Sequence, residues 1–203
     1  MAIKPNPPHA HPRISRREKE RRLNERGPIL WLYGLSGSGK SALAIALERE
    51  LAAQGILTLL LDGDELRAGL NRGLGFSDAD RTENLRRAAE VARLLTRSGL
   101  VVICAFITPL RSQRALVGEI IGPGDLTLVH LSASFGICAQ RDPKRLYARA
   151  AADKLAQFTG RDSTFEAPVP GADSLAVDTG QETPAASLAR LRAIIEPKIR
   201  PAR

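Results

Sequence analysis

Short, wholly apolar runs alternate along this chain with longer stretches in which leucine, isoleucine and alanine recur three or four residues apart. Residues 29–33 (Ile-Leu-Trp-Leu-Tyr) are apolar at every position, which predicts a strand buried on both faces. Leu43, Leu47 and Leu51 follow at helical spacing. The same alternation predicts strands over 57–61, 100–105, 126–131 and 174–177. It predicts helices over about 78–97, 111–121 and 184–195, with Gly55, Gly99 and Gly122-Pro123 as stops between units. Strand and helix in turn imply an α/β fold, a five-stranded parallel sheet with helices on both faces.

Two stretches break this rhythm. Residues 1–12 carry Pro5, Pro7, Pro8 and Pro12 and few core-forming side chains, and Ser15 then caps a short charged helix that ends before Gly27-Pro28. Residues 136–172 interleave basic side chains with alanines and turn loop-like through Phe158-Thr159-Gly160, Pro168 and Pro170, as a lid over bound phosphates would. The expected organisation is a basic N-terminal arm with a short helix (1–27), one domain (28–196) with a lid at about 136–172, and a C-terminal tail (197–203).

Between the first strand and its helix, residues 34–41 read Gly-Leu-Ser-Gly-Ser-Gly-Lys-Ser. A glycine-rich turn from strand to helix lets successive backbone N–H groups converge on phosphate oxygens, with the positive end of the helix dipole behind them. Gly34, Leu35, Ser36, Gly37, Ser38 and Gly39 are thus expected to cradle ATP. Lys40 would reach its outer phosphates and Ser41 would ligate Mg²⁺. The fold expectation narrows to a three-layer, P-loop NTPase-type kinase.

Composition limits the alternatives. With 203 residues, 43% of them hydrophobic, one substantial core is affordable, and a second full domain would be cramped. The net charge of +8 sits mostly at the ends: +5 in residues 1–26 and +2 in residues 196–203. It therefore reads as solvated tail charge, not as a nucleic-acid footprint. Cys104 and Cys138 form neither a disulfide framework nor a metal spacing, and Cys104 reads as a packed, inert thiol. No stretch approaches the length of a membrane span and no secretory signal is visible, so a cytoplasmic protein is expected.

The second strand delivers Asp62-Gly63-Asp64 at its carboxyl end, the edge where open parallel sheets gather ligands. Two carboxylates beside a phosphate loop suit metal organisation and positioning of an attacking hydroxyl.

These pieces, together with Gly69-Leu70-Asn71-Arg72, the run 74–84 (Leu-Gly-Phe-Ser-Asp-Ala-Asp-Arg-Thr-Glu-Asn), Ala105-Phe106-Ile107-Thr108-Pro109, Arg141-Asp142-Pro143-Lys144 and Phe158-Thr159-Gly160, resemble the adenylylsulfate kinase family. The resemblance implies transfer of the γ-phosphoryl group of ATP to the 3′-hydroxyl of adenylyl sulfate, with Mg²⁺. It implies catalytic roles for Lys40, Asp62, Asp64 and Thr108, a metal site at Ser41 and Asp62, and ATP contact by Arg141. Arg67, Phe76, Arg81, Asn84, Phe106, Ile107 and Phe158 would bind the acceptor, Phe76 and Phe158 sandwiching its adenine. A homodimer and an ATP sulfurylase partner are further implications.

Several positions depart from the family pattern. Glu65 stands for a customary Asn, Thr108 for a Ser sometimes regarded as a phosphoenzyme site, Arg145 for a Gly, and Ala151 and Ala156 for an Arg and a Lys. A related kinase with another nucleotide or small-metabolite acceptor is the alternative within enzymes, and a non-catalytic nucleotide-binding regulatory domain the alternative outside them.

Overall fold

The computed structural model describes residues 13–142, 147, 159, 164–168 and 174–199. In chain order the elements are α1 (Arg16–Leu23), β1 (Ile29–Tyr33), α2 (Lys40–Ala53), β2 (Thr58–Asp62), α3 (Gly63–Ala68), α4 (Asp78–Thr96), β3 (Val101–Phe106), α5 (Arg111–Ile121), β4 (Leu126–Ser132), α6 (Phe135–Arg141), β5 (Ser174–Asp178) and α7 (Pro184–Ile199). All strand pairings are parallel, in the order β2-β3-β1-β4-β5.

Strand period sorts the apolar side chains onto two faces. Leu30 and Leu32 of β1, with Val101 and Ile103 of β3, pack under Leu43, Leu47 and Leu51 of α2 and Leu191 and Ile195 of α7. Ile29, Trp31 and Tyr33, with Val102, Cys104 and Phe106, pack instead under Leu85, Ala88 and Ala92 of α4 and Val117 of α5. Every residue of β1 and β3 is buried, which explains why neither run carries a charged side chain. Truncating one such residue, Leu32→Ala for instance, would cost about 2–5 kcal/mol. Cys104 lies in this layer, fully buried, its thiol pushed well above the ordinary value by desolvation. The expected inert thiol is what the packing produces.

Successive connections place the site. From β1 the chain crosses one face through α2, and from β3 it crosses the other through α5, so the adjacent strands β1 and β3 mark the point where the winding reverses. A crevice opens there at the carboxyl ends of the strands.

The predicted strands 57–61 and 100–105 each run one residue later, because β2 and β3 remain in register through Asp62 opposite Ala105. α3 was not foreseen; it is a single short turn that starts on Asp62, whose Oδ1 accepts the Asp64 N–H at 2.8 Å. The last helix, expected to end near 195, continues past Pro197 to Ile199, which is buried in the core. Ile199 O also accepts the Arg26 N–H at 2.7 Å, so the far end of α7 is tied to the arm. The arm is docked in turn: Ser15 caps α1 as predicted, and Arg16 makes a two-pronged ion pair with Asp125 at 2.6 and 2.7 Å. Of the predicted lid, α6, Tyr147, Thr159 and residues 164–168 are described. Phe158, Arg145, Ala151 and Ala156 lie outside the described residues, as do residues 1–12 and 200–203.

Candidate active site

The phosphate loop begins where β1 stops. Gly34 has φ +151°, and a Cβ there would lie 2.5 Å from Leu131 O; Gly37 has φ +80°, and a Cβ there would lie 2.8 Å from Cys138 O. Both positions need glycine on conformation and on space. Lys40 reaches back over the turn, donating to Leu35 O at 2.6 Å and Gly34 O at 3.0 Å. The Ser38 N–H closes the turn on Leu35 O, and Thr179 Oγ1 donates to Ser38 O at 2.9 Å.

The start of α2 differs from those of α1, α4 and α6. α1, α4 and α6 are each capped by a serine side chain (Ser15, Ser77, Ser134) that accepts a backbone N–H. α2 starts at Gly39 with no side-chain cap. Its first N–H groups are thus left for a ligand, and the helix dipole makes an anion the favoured one.

Ser41 and Asp62 meet beside this helix end. Ser41 Oγ donates to Asp62 Oδ2 at 2.6 Å, and Asp62 is buried while Asp64 is exposed at the same rim. A hydroxyl and a carboxylate are hard oxygen donors of the kind Mg²⁺ takes, alongside water and phosphate oxygens. Among the described residues no cluster of three or more His, Cys, Asp or Glu side chains stands ready for a metal, so an ion held here would take most of its ligands from outside the protein.

The opposite wall comes from the turn between α3 and α4. Arg67 Nη1 donates to Leu74 O at 3.2 Å and Gly75 O at 2.9 Å, and Arg81 Nε donates to Phe76 O at 2.9 Å. These bonds hold the turn so that the Phe76 ring lies under both guanidiniums, 4.5 Å from Arg67 and 5.6 Å from Arg81. Burial lowers both arginine pKa values, and the positive field of Arg67 lowers that of Arg81 further. Two cations crowded together, with Phe76 54% exposed beside them, form a surface that an anionic aromatic ligand would relieve. Arg81 and Asn84, one helical turn apart on α4, are both buried, and both line the cleft.

The two walls belong to one cleft of about 740 Å³. Ser36, Gly37, Gly39, Lys40, Ser41 and Arg141 line the phosphate side; Arg67, Phe76, Arg81 and Asn84 line the other; Asp62, Asp64, Phe106, Ile107 and Thr108 lie between. Gly34, Leu35 and Ser38 shape the loop from behind; Ser38 is fully buried. Glu65 is exposed and does not line the cleft.

Thr108, expected from the resemblance to be catalytic, lines the floor of the cleft. It is 1% exposed, at φ +41°, and its Oγ1 accepts the Trp31 indole N–H at 2.9 Å. The hydroxyl thus already takes the Trp31 indole as a partner at the floor of the cleft. Arg114, not singled out from the sequence, donates to Thr108 O, Pro109 O and Glu166 O at 2.7–3.0 Å and so ties residues 164–168 to the turn after β3. Thr159, also missed, lines the cleft, and Tyr147 Oη donates to Ser36 O at 2.7 Å. Thr159 carried a signal, since it stands inside Phe158-Thr159-Gly160; Arg114 and Tyr147 carried none beyond their residue type.

A parallel sheet of this order, with a glycine loop after its central strand and a carboxylate at the end of β2, defines a P-loop kinase fold. The family model for adenylylsulphate kinase matches residues 26–176. An adenylyl-sulfate kinase of Yersinia pestis is 51% identical over 161 residues, 79% of this chain and 74% of that protein. One from Bacteroides fragilis is 44% identical over 186 residues, 92% of this chain and 91% of its own length. The solved APS kinase of Mycobacterium tuberculosis, in complex with AMPPNP and APS, superposes with a TM-score of 0.78 at 40% identity, covering 84% of this chain and 98% of that one. This chain belongs to the adenylylsulphate kinase family.

Proposed function

We propose that this protein transfers the γ-phosphoryl group of ATP to the 3′-hydroxyl of adenylyl sulfate, giving 3′-phosphoadenylyl sulfate and ADP. The observation that carries this reading is the sharing of one cleft by the phosphate loop and the Arg67, Phe76, Arg81 and Asn84 wall. A donor and an acceptor held there face each other across Asp62.

In this reading Gly34 to Gly39 and the uncapped start of α2 bind the phosphates by backbone N–H groups. Lys40 exchanges its loop carbonyls for phosphate oxygens. Arg141 stands at the ATP side of the cleft. Ser41 and Asp62 would hold Mg²⁺, which supplies charge neutralisation on the phosphates when bound. Asp62, with Asp64 at the rim, positions the acceptor hydroxyl and takes up its proton as the O3′–P bond forms and the bond from the γ-phosphorus to the β–γ bridging oxygen breaks. Arg67 and Arg81 attract the phosphate and sulfate oxygens, Phe76 receives the adenine face, and Asn84 with the backbone at Phe106 and Ile107 orients the rest. Phe158 is assigned the second adenine face on the family resemblance alone.

Cytoplasmic action goes with this reading, because ATP is supplied there; no described helix is long and apolar enough to cross a membrane. The domain limits of 28–196, a homodimer and coupling to an ATP sulfurylase remain parts of the proposal. Since α1 is pinned to its own chain through Arg16 and Asp125, a dimer contact by the arm would use residues before it or the outer face of α1.

An acceptor competition tests the function. Purified protein with ATP and Mg²⁺ is given adenylyl sulfate, AMP, other nucleosides or sugar acids, and ADP release is followed. Adenylyl sulfate should be preferred by at least about a hundredfold in kcat/KM over AMP, which lacks the sulfate oxygens. A better acceptor among the competitors would replace this assignment, and tight ATP binding with no product from any acceptor would leave a regulatory nucleotide binder.

A further inference from the structure

Asn71 lies in the turn between α3 and α4 and is fully buried. A buried amide with incomplete partners is unfavourable, so its retention calls for a physical reason. Its Nδ2 donates to Asn84 Oδ1 at 2.9 Å and, at 3.5 Å, to the backbone carbonyl of Asn84. Its own Oδ1 has no hydrogen-bond partner among the described residues.

The two ends of an asparagine amide have nearly the same shape, so their orientation is set by the partners. Here the backbone carbonyl of Asn84 decides, because a carbonyl only accepts. The atom of Asn71 that faces it must be the nitrogen. That same nitrogen faces the side-chain amide of Asn84, which must therefore turn its oxygen toward Asn71. Asn84 Nδ2 is the end left over, on a residue that lines the cleft.

We infer that Asn71 is a positioning residue that fixes the amide orientation of Asn84, so that the acceptor wall offers only hydrogen-bond donors, from Arg67, Arg81 and Asn84. This rests on the reading of that wall as the adenylyl sulfate site. A wall of donors selects a ligand group that only accepts, such as a phosphate or sulfate oxygen or an aromatic ring nitrogen. A reversed Asn84 would set a carbonyl oxygen beside that group, and lone pair would face lone pair. The arginines supply attraction for any anion; the oriented amide adds discrimination by leaving no acceptor atom at this position. The unpartnered Oδ1 of Asn71 is the cost of holding that orientation.

Asn71→Asp tests this, since it keeps the shape and replaces the donor by oxygen. In the full-length protein with ATP and Mg²⁺, KM for adenylyl sulfate should rise by about tenfold or more while KM for ATP stays within about twofold. In an Asn84→Ala background the same substitution should change the acceptor KM by less than about twofold, because Asn71 then has nothing to orient. Asn71→Ala, which lets Asn84 adopt either orientation, should give a smaller rise of about threefold and serves as the readout if the aspartate variant does not fold, judged by its thermal melt and by AMPPNP binding. An acceptor KM that does not move, an equal shift in both KM values, or full additivity with Asn84→Ala overturns the inference. Wild-type protein that leaves adenylyl sulfate unphosphorylated would instead sink the proposed function, an outcome read before any variant is made.

Discussion

The phosphate loop and the proposed acceptor wall line one cleft, yet they offer hydrogen-bond donors from different parts of the chain. On the loop side the donors are backbone N–H groups, freed by glycine at positive φ and by a helix start without a side-chain cap. On the wall they are side chains, two guanidiniums and an amide, held in place by carbonyls of the turn at 74–76 and by Asn71. A backbone site is tied to conformation, so it tolerates many side chains at Leu35 or Ala42 but no Cβ at Gly34 or Gly37. A side-chain site is tied to identity, so even Arg to Lys alters it. The first design suits a co-substrate shared by many kinases; the second suits the acceptor that distinguishes them.

The sharpest way to break this division is at Asp62, which stands between the two sides. Asp62→Asn keeps the hydrogen bond to the Asp64 N–H and can still pair with Ser41, so the loop should continue to bind ATP. Turnover should fall by about 10²–10³-fold, as when a group that acts on the transition state is removed. Steady-state kinetics beside an AMPPNP titration separates the two; undiminished turnover would remove Asp62 from the mechanism.

Arg81→Lys probes the wall alone. The charge stays, but the planar fork and the bond from Nε to Phe76 O are lost. KM for adenylyl sulfate should rise by about tenfold or more with KM for ATP unchanged. If both constants moved together, the two sides could not be treated as independent. A smaller effect is expected from Phe76→Leu, which keeps an apolar side chain but removes the ring under the guanidiniums; the acceptor KM should rise by about threefold to tenfold.

The contrast also explains what could be read from the residues alone. β1 and β3 were legible because burial on both faces excludes charged side chains, and the loop was legible because glycine at Gly34, Gly37 and Gly39 is a sequence record of backbone conformation. The wall was legible only as a likeness to relatives: nothing in Arg67 or Arg81 by itself says that their ring partner is Phe76. Asn71 was visible within Gly69-Leu70-Asn71-Arg72, but its bond to Asn84 spans thirteen positions and has no periodicity to betray it. The same holds for Arg114, whose partners at Thr108, Pro109 and Glu166 meet only in the fold. α3 escaped because a six-residue turn is shorter than the window that helical spacing needs.

Thr108 belongs to neither side, and the smallest change in activity is expected there. Its Oγ1 accepts from Trp31, and Trp31 stacks on Phe106 with ring centroids 4.9 Å apart, so the hydroxyl braces the floor of the cleft. Thr108→Ala leaves the buried indole N–H without its acceptor, which should cost about 1–3 kcal/mol of stability. It also replaces a β-branched residue at φ +41° by one that adopts that conformation with less strain, which offsets part of the loss. Turnover per folded molecule should stay within about twofold, since the proposed transfer from ATP to the acceptor is direct and the bond from Trp31 is a packing contact. Trp31 is the single tryptophan of the chain, so its fluorescence reports the lost bond directly while the thermal melt reports the stability. With γ-labelled ATP and no acceptor, wild-type protein should carry no label. A labelled chain, or an Ala variant that folds normally and fails to turn over, would return Thr108 to the reaction as a covalent relay and give the cleft a third working part between its two sides.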